Sequence, residues 1–399
     1  MDKRARHPNG SVLPLIAVSM TVLLMMLAIV VDLGWVYLAA NQLQNAADSA
    51  ALAAAAQLAD EDFLLGTPDP YDDFVVCRDS AEEFAAYNQA AQKYLALDRN
   101  DDNSVSGGIV VGYIENPLDL SSAFETEAVP EYNSVKVTAK LATALNGPLE
   151  LFFGAVTGVE NLEMGAGAVA TLDDRVVGFE LKDGETLPLF PYSISVDKWD
   201  EGVTAGDPIG ASLSMLMGLD FLRFLTGVSC HWQSDGTLIL GPNYPGVAEA
   251  GEVSCARFGR HEMTAAEFEY QIRHGVTEDD LRAIGGLVLH KDTDGVFKKW
   301  IEGCVGLWAS CEDDLRAIID EPRIIALHRG YSSEGSSMGS ETHLEIVRFA
   351  AGKVTNVSFG GLKKNWNIKV APYQVTTPQA KVDHEMAGSG LVYSLSLIR

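Results

Sequence analysis

The hydrophobic positions of this chain fall into one long apolar run, one alanine-rich run and a series of shorter segments. Residues 12–31 contain no charged side chain, and only Pro14, Ser19 and Thr21 interrupt the apolar sequence. A helix rises about 1.5 Å per residue, so a run of this length spans roughly 30 Å, the thickness of the hydrocarbon core of a bilayer. The pattern predicts a transmembrane helix at residues 12–31, preceded by a short basic tail at residues 1–11.

The charges on the two sides of this run differ. Lys3, Arg4 and Arg6 precede it, and no lysine or arginine follows it until Arg78. Basic residues stay on the cytoplasmic side of a membrane helix, so the tail is predicted to be cytoplasmic and the rest exported. A cleaved secretory signal is the alternative. Its apolar core would be unusually long, and no small-x-small cleavage site follows that core before Asp32. We therefore expect a retained single-pass anchor.

The helix is predicted to continue beyond the membrane as a stalk over residues 32–59. This stretch has no proline and is rich in alanine, the strongest helix former. Spacings of three and four residues place an apolar seam on it, formed by Leu33, Val36, Ala40, Leu43, Ala47, Ala50 and Ala54. Small side chains let a second backbone approach closely, so the seam predicts docking of a partner helix. The alternative is that the stalk folds back onto its own domain.

The remaining chain is predicted to form two exported domains of α+β class. Residues 60–175 form the first, with a helix at 80–97, strands near 109–114, 134–143 and 160–172, and a short apolar helix ending near Val156. Residues 176–399 form a second, β-rich domain with a helical segment at about 264–319, for which Thr264 and Thr277 are the expected N-caps. Strands return near residues 323–327, 341–349, 353–359, 367–371 and 391–398. The predicted fold is thus α+β: a transmembrane helix, a stalk helix, and a β-rich exported region with a helical insertion.

The net charge narrows the classes of partner. The sequence has 29 Lys+Arg against 55 Asp+Glu, a formal charge of −26. A polyanion of this size is repelled by phosphate backbones, so nucleic acid is excluded as a partner.

The first sixty residues resemble a known family. Gly10-Ser-Val12, the apolar run, Asp32-Leu-Gly-Trp-Val-Tyr37 and the Asn/Gln/Asp-Ala run from Gln42 are similar to the N-terminal segment of TadG-like proteins. These belong to the TadE/TadG group of the tight-adherence (Flp) pilus assembly system, and the resemblance covers about residues 9–58. One departure is that Leu15 stands where prepilin-like members, cut after a glycine, carry glutamate.

The resemblance implies a function and a location. The expected function is a membrane-anchored structural or assembly component of a bacterial Flp pilus, in the inner (cytoplasmic) membrane, with most of the chain in the periplasm or outside the cell. The expected partners are inner-membrane pilus assembly proteins or other pilin-like subunits, contacted through the N-terminal helix. The alternative is a membrane-tethered periplasmic or surface binding or adhesive module unrelated to pili. The sequence does not separate a pilus subunit from an assembly factor.

One acidic loop is a candidate metal site. Asp98, Asn100 and Asp102 match the first ligand positions of a calcium loop with the pattern D-x-N-x-D-x-S-V. Asn103 stands where glycine is usual, and Ile109 replaces the glutamate of the twelfth position. A solvated acidic turn explains the same residues. Apart from this possible calcium ion, no cofactor is expected.

No enzyme is predicted. Gly335-Ser-Ser337-Met-Gly339 matches the G-x-S-x-G pattern of a nucleophile elbow, which requires a following helix. The next residues alternate like a strand, so a glycine- and serine-rich hairpin loop is expected at Ser337. A membrane-tethered hydrolase that uses Ser337 is the third possible class of function.

The five cysteines all lie in the predicted exported part, where disulfides can form. They are Cys77, Cys230, Cys255, Cys304 and Cys311. An odd number leaves one thiol over if two bridges form. The economical pairs along the chain are Cys230 with Cys255 and Cys304 with Cys311, although sequence alone does not fix the connectivity.

Overall fold

A computed structural model gives the fold of most of the chain. It describes residues 12–59, 70–119, 121–127, 132–203, 230–233, 235–241, 252–260, 263–305, 309–334, 341–359 and 367–398. The α-helices within these residues are α1 (Val12–Ala56), α2 (Pro70–Tyr87), α3 (Gly154–Thr157), α4 (Val196–Val203), α5 (Ala265–His274), α6 (Glu278–Ala283) and α7 (Glu312–Ala317).

The β-strands of the described residues are mostly antiparallel. In the first half of the chain they are β1 (Gln89–Ala90), β2 (Lys93–Tyr94), β3 (Ile109–Gly112), β4 (Ser134–Leu141), β5 (Leu149–Glu150), β6 (Asn161–Leu162), β7 (Met164–Asp173), β8 (Val176–Phe179), β9 (Thr186–Leu187) and β10 (Leu189–Ser195). In the second half they are β11 (Cys230–Trp232), β12 (Leu238–Leu240), β13 (Val253–Ala256), β14 (Val276–Thr277), β15 (Leu287–Val288), β16 (His290–Lys291), β17 (Phe297–Val305), β18 (Pro322–Glu334), β19 (Glu341–Ser358), β20 (Asn367–Pro372), β21 (Val375–Thr377), β22 (Ala380–Val382) and β23 (Val392–Ile398). Together with the long first helix they confirm the predicted α+β class.

The first structural unit, here called the helix–sheet unit, is a five-stranded sheet covered by α1 and α2. Its strand order is β21-β23-β7-β4-β3. The predicted alternation on β4 is confirmed, because Val135, Val137, Ala139 and Leu141 are all buried in the core beneath the helices. The C-terminal strand β23 pairs with β7, with Leu395 opposite Leu172. The end of the chain therefore completes the first sheet, and a division at residues 175 and 176 does not separate the two sheets.

The helix predicted at 80–97 begins and ends earlier. It is α2, which starts at Pro70 and ends at Tyr87, so Ser80 is not its N-cap. The Ser80 hydroxyl instead donates to the Ala53 carbonyl of α1 at 3.3 Å. The short hairpin β1–β2 replaces the last part of the predicted helix, since Ala91 takes a left-handed backbone conformation with φ of 49°.

The second unit is built on a nine-stranded sheet whose order is β11-β12-β20-β19-β18-β10-β13-β17-β16. Strand β17 also pairs with β19, so β10, β13, β17, β19 and β18 form a closed ring. The predicted strands at 341–349 and 353–359 belong to the single long strand β19, which pairs with β18 along one edge and with β17 and then β20 along the other. Large side chains such as Phe190, Tyr192 and Phe349 fill its core.

The helical segment predicted at 264–319 is only partly right. Thr264 and Thr277 cap α5 and α6 as expected, each in a capping box with the acidic residue three positions later. Three strands follow them, and the prediction was wrong from β15 to β17. In β17, Ile301 and Gly303 are buried while Trp300 is exposed, a strand-like alternation. Pairing with β13 and β19 on both edges holds this segment in the sheet, and tertiary pairing of this kind overrides local helix propensity.

The sheet register changes the expected disulfide. Cys304 of β17 lies directly opposite Cys255 of β13, whereas Cys230 lies on β11, which pairs with β12. Directly opposite residues on antiparallel strands have Cα atoms about 4.5–5.5 Å apart, within the range that a disulfide bridges. We therefore expect a Cys255–Cys304 bridge in place of both economical pairs, Cys230–Cys255 and Cys304–Cys311.

Mass spectrometry of non-reduced, alkylated protein from the native envelope tests this pairing. The expected product is a peptide pair joining Cys255 to Cys304. A bridge that closes a loop of about 50 residues stabilises a fold by about 2–4 kcal/mol, so Cys304→Ser should lower the melting temperature. The control is the same comparison in reducing buffer, where the wild type has no bridge and the difference in melting temperature should shrink. A Cys230–Cys255 peptide, or complete alkylation of both Cys255 and Cys304, would contradict the prediction.

Candidate membrane anchor and its junction with the folded units

Helix α1 has two halves with different surroundings. Over residues 12–31 the apolar side chains are almost all exposed, among them Leu23, Leu24 and Met26. The most apolar 18-residue window of the helix has a mean hydropathy of 2.6 and is 6% buried. By length and composition this is a helix that can cross a membrane once, and its exposure distinguishes it from a helix in the core of a soluble protein.

The second half of α1 is a core helix of the helix–sheet unit. The buried residues are Ala39, Leu43, Ala46, Ala47, Ala50, Ala51, Ala54 and Ala55, all with no exposed surface. Their spacing gives a broad stripe, wider than the two-position seam of a coiled coil. The stripe is covered by β4 and β7 on one side and by α2 on the other. Alanine allows close approach of the helix to the sheet, where β7 itself carries small residues such as Gly165 and Gly167.

Side-chain hydrogen bonds fix the helix in this position. Gln44 Nε2 donates to the Gly167 carbonyl of β7 at 3.1 Å. The Ala91 N–H donates to Gln42 Oε1 at 2.9 Å. The predicted docking of a partner helix on the seam is therefore wrong from Leu43 to Ala54, because the chain's own sheet and α2 occupy that surface. The alternative, a stalk folded back onto its own domain, is right.

The two halves meet at Asp32, directly after the apolar run. Asp32 as a whole is 5% exposed. Asp32 Oδ1 accepts the N–H groups of Phe152 and Phe153 at 2.9 and 3.2 Å, and Oδ2 accepts that of Phe153 at 3.2 Å. One turn later Trp35 Nε1 donates to the Glu150 carbonyl at 3.2 Å, and its ring lies 5.4 Å from that of Phe152. The hairpin β5–β6 is thereby tied to the point where the helix leaves the apolar run.

The predicted calcium ligands lie together in one loop that its own hydrogen bonds close. Asp98 Oδ2 accepts the Gly108 N–H at 3.1 Å. Asn100 Oδ1 accepts the Ser104 N–H at 3.0 Å, and Asn100 Nδ2 donates to the Ser104 carbonyl at 3.0 Å. The Asp102 side chain is exposed. Among the described residues no group of three or more histidine, cysteine, aspartate or glutamate side chains is arranged to hold a metal ion.

Calcium binding at Asp98, Asn100 and Asp102 stays a prediction, and thermal melting tests it. Added calcium should raise the melting temperature of the wild type, because a ligand that binds only the folded state stabilises it. Asp98→Ala should remove this shift, and the control Asp119→Ala, another exposed aspartate, should keep it. Equal shifts in all three proteins would indicate charge screening and contradict the site.

Ser193 and His328, a serine and a histidine of the kind found together in catalytic sites, contact each other in the second unit. They are 135 residues apart in the chain. Ser193 Oγ is 2.8 Å from His328 Nδ1, and it donates to the Ala326 carbonyl at 2.9 Å. The tautomer of His328 determines which of the two atoms donates in their contact. Both side chains are buried, so the pair is a polar contact inside the fold and not an open site. Ser337 lies outside the described residues; β19, which follows it, is a strand and not the helix of a nucleophile elbow.

Comparison with known proteins points to the same helix. The architecture is that of two folded units that follow one N-terminal apolar helix. Residues 10–57 match the family model described as TadE/G-like Flp pilus assembly, which confirms the resemblance found in the sequence and associates this segment with pilus assembly. No curated protein and no solved structure matches the chain.

Proposed function

We propose that this protein is a single-pass structural or assembly component of a Flp pilus system, anchored in the inner membrane with its folded units outside the cytoplasm. The observation that carries the proposal is that the residues matched by the family model are nearly the same as the residues of helix α1. The family match covers residues 10–57, and α1 covers Val12–Ala56. In this chain the matched segment is thus one continuous helix that combines a potential membrane span with the core of a folded unit.

The partner surface is assigned to the membrane half of α1. The alanine stripe beyond it is covered by the chain's own sheet and by α2, so it is not free for a second helix. Within the described part of the chain, the apolar side chains of residues 12–31 other than Ala28 have no such cover. Packing of helices within a bilayer is driven by close side-chain contact, and this exposed half offers that surface to inner-membrane pilus proteins or pilin-like subunits.

Topology is the first test of the proposal. In intact cells, a membrane-impermeant thiol reagent should label Ser106→Cys, which lies in an exposed loop, and should not label Lys3→Cys until the cells are opened. Each variant adds one cysteine to the five native ones, so the wild type gives the background labelling that is subtracted from both. Labelling of Lys3→Cys above this background in intact cells would contradict the orientation. A soluble protein that begins within residues 32–60 would indicate a cleaved signal.

Genetics separates the pilus function from the alternative of an unrelated tethered module. Deletion of the gene should abolish surface Flp pili, and the full chain should restore them. A variant whose residues 12–31 are replaced by an unrelated leucine–alanine span should keep its membrane level but fail to restore pili, because the proposed contacts are lost. Normal piliation of the deletion strain would overturn the proposed function. If the variant with the unrelated span restores pili, the partner contacts lie outside the membrane half of α1.

A further inference from the structure

The hairpin β5–β6 carries an uncharged apolar tip at residues 151–159 (Leu-Phe-Phe-Gly-Ala-Val-Thr-Gly-Val). Four of its large side chains face solvent: Phe152 is 65% exposed, Phe153 39%, Val156 57% and Val159 49%. Single exposed apolar residues are common, but a cluster of this kind on a charged protein marks a contact surface. The chain as a whole has a charge of −26, and the tip has none.

The tip is built rigidly. The Leu151 N–H donates to the Glu160 carbonyl at 3.0 Å, and the turn of α3 closes with Gly158 in the left-handed region, where φ is 78°. A Cβ on Gly154 would lie 2.5 Å from the Val159 carbonyl oxygen, so glycine is required for the chain to fold back this tightly. The exposed side chains are therefore held on a fixed turn.

The position of the tip beside the end of the apolar run indicates which surface its exposed side chains contact. Asp32 binds the backbone of Phe152 and Phe153, and Asp32 is the first residue after the twenty-residue apolar run. If that run crosses the bilayer, Asp32 lies at its outer boundary, and the tip lies beside it at the same height. The exposed Tyr37 and the Trp35 ring that packs on Phe152 lie within two turns, where aromatic side chains favour the membrane interface.

We infer that the apolar tip 151–159 inserts into the outer interfacial layer of the same bilayer that α1 crosses, as a second membrane contact of the exported region. This inference rests on the proposed membrane anchoring. The supporting observation is that the exposed apolar surface of residues 12–31 continues directly onto the tip, which is bound to Asp32 at the end of that run. Two backbone N–H groups of the tip, those of Phe152 and Phe153, hydrogen-bond the Asp32 carboxylate and lower the cost of placing it at the interface. Two contacts hold the helix–sheet unit in one orientation above the membrane, whereas a single helix leaves it free to swing.

Depth-dependent fluorescence quenching tests the inference on the full chain in phosphatidylethanolamine–phosphatidylglycerol vesicles. An environment-sensitive fluorescent amino acid is placed at Val156, with a second position at Val159 in case the first variant does not fold. Val22, in the middle of the apolar run, is the reference for the span. Val105 is the matched control, a valine in the same unit that is 61% exposed.

Val105 lies far from the span. Its neighbour Asn103 accepts a hydrogen bond from Arg78, two residues from Ser80, which bonds to Ala53 of α1. Ala53 is about 30 Å along the helix from Asp32 at 1.5 Å per residue.

The expected result is a blue-shifted emission at Val156 that lipids brominated near the glycerol end of the acyl chain quench at least twofold more strongly than lipids brominated near its methyl end. Val22 should show the reverse order, and Val105 should be quenched by neither. If Val22 is quenched and Val156 and Val159 behave like Val105, the inference is overturned while the anchor stands. Blue-shifted but unquenched emission at the tip would also overturn it, since protein would then cover the tip. Loss of quenching at Val22 would instead overturn the anchoring on which the inference rests.

Discussion

Ala47→Leu together with Ala54→Leu is expected to unfold much of the helix–sheet unit. Both alanines have no exposed surface and lie in the core formed with β4, β7 and α2. Leucine is itself a good helix former, so α1 as a helix tolerates the change. The added carbon atoms have no space between the helix and the sheet, and overpacking costs about 1–3 kcal/mol per site. The pair should cost roughly 2–6 kcal/mol, a large part of the 5–15 kcal/mol that typical domains have.

Thermal melting of the detergent-solubilised chain measures this loss, and membrane abundance in cells should fall with it. The control is Asn41→Leu with Asn45→Leu, two exposed positions on the other side of the same helix. That variant should melt close to the wild type. If the alanine variant melts normally but abolishes piliation, a partner and not the chain's own sheet contacts the stripe, and the described packing is contradicted.

Leu23→Asp together with Leu24→Asp is expected to remove the chain from the membrane. These exposed residues lie at the middle of the apolar run. The twelve leucine, isoleucine and valine residues of the run favour insertion by roughly 5 kcal/mol at about 0.4 kcal/mol each. An aspartate at the centre of a span costs about 2.5–3.5 kcal/mol and each lost leucine about 0.4 kcal/mol, so the two substitutions together cost roughly 6–8 kcal/mol and reverse the balance.

Alkaline extraction of cell membranes measures whether the variant is still anchored. The aspartate variant should leave the membrane fraction or be degraded. Asn41→Asp with Asn45→Asp adds the same two charges to the exposed face beyond the run and should stay anchored. Equal retention of both variants would show that residues 12–31 do not hold the chain in the bilayer.

Features set by neighbouring residues were predictable from the sequence. The capping boxes at Thr264 and Thr277 involve residues three positions apart, and the alternation on β4 is a local signal. The apolar run was found for the same reason. The stripe on α1 held a further signal: alanines occur in adjacent pairs at 46–47, 50–51 and 54–55. Such a broad stripe indicates burial on two sides, which the coiled-coil interpretation overlooked.

Features set by distant pairing were not predictable. Leu395 pairs with Leu172, and nothing near either residue indicates that the end of the chain completes the first sheet. The same holds for β17, whose place in the sheet depends on β13 and β19. At the junction, the apolar tip was visible in sequence only as a short apolar helix. Its attachment to Asp32 spans 120 residues of chain and required the structure.

Photocrosslinking from the membrane half of α1 in piliated cells tests the central claim most directly. A photoreactive amino acid at Leu23 or Leu27, both exposed in the apolar run, should become covalently linked to inner-membrane proteins or pilin-like subunits of the Flp system, identified by mass spectrometry. The same probe at Val105, on an exposed loop far from the apolar run, should not give these adducts. The account predicts pilus-system adducts from at least one face of the helix. Adducts only with lipids, or with envelope proteins unrelated to pili, would contradict it.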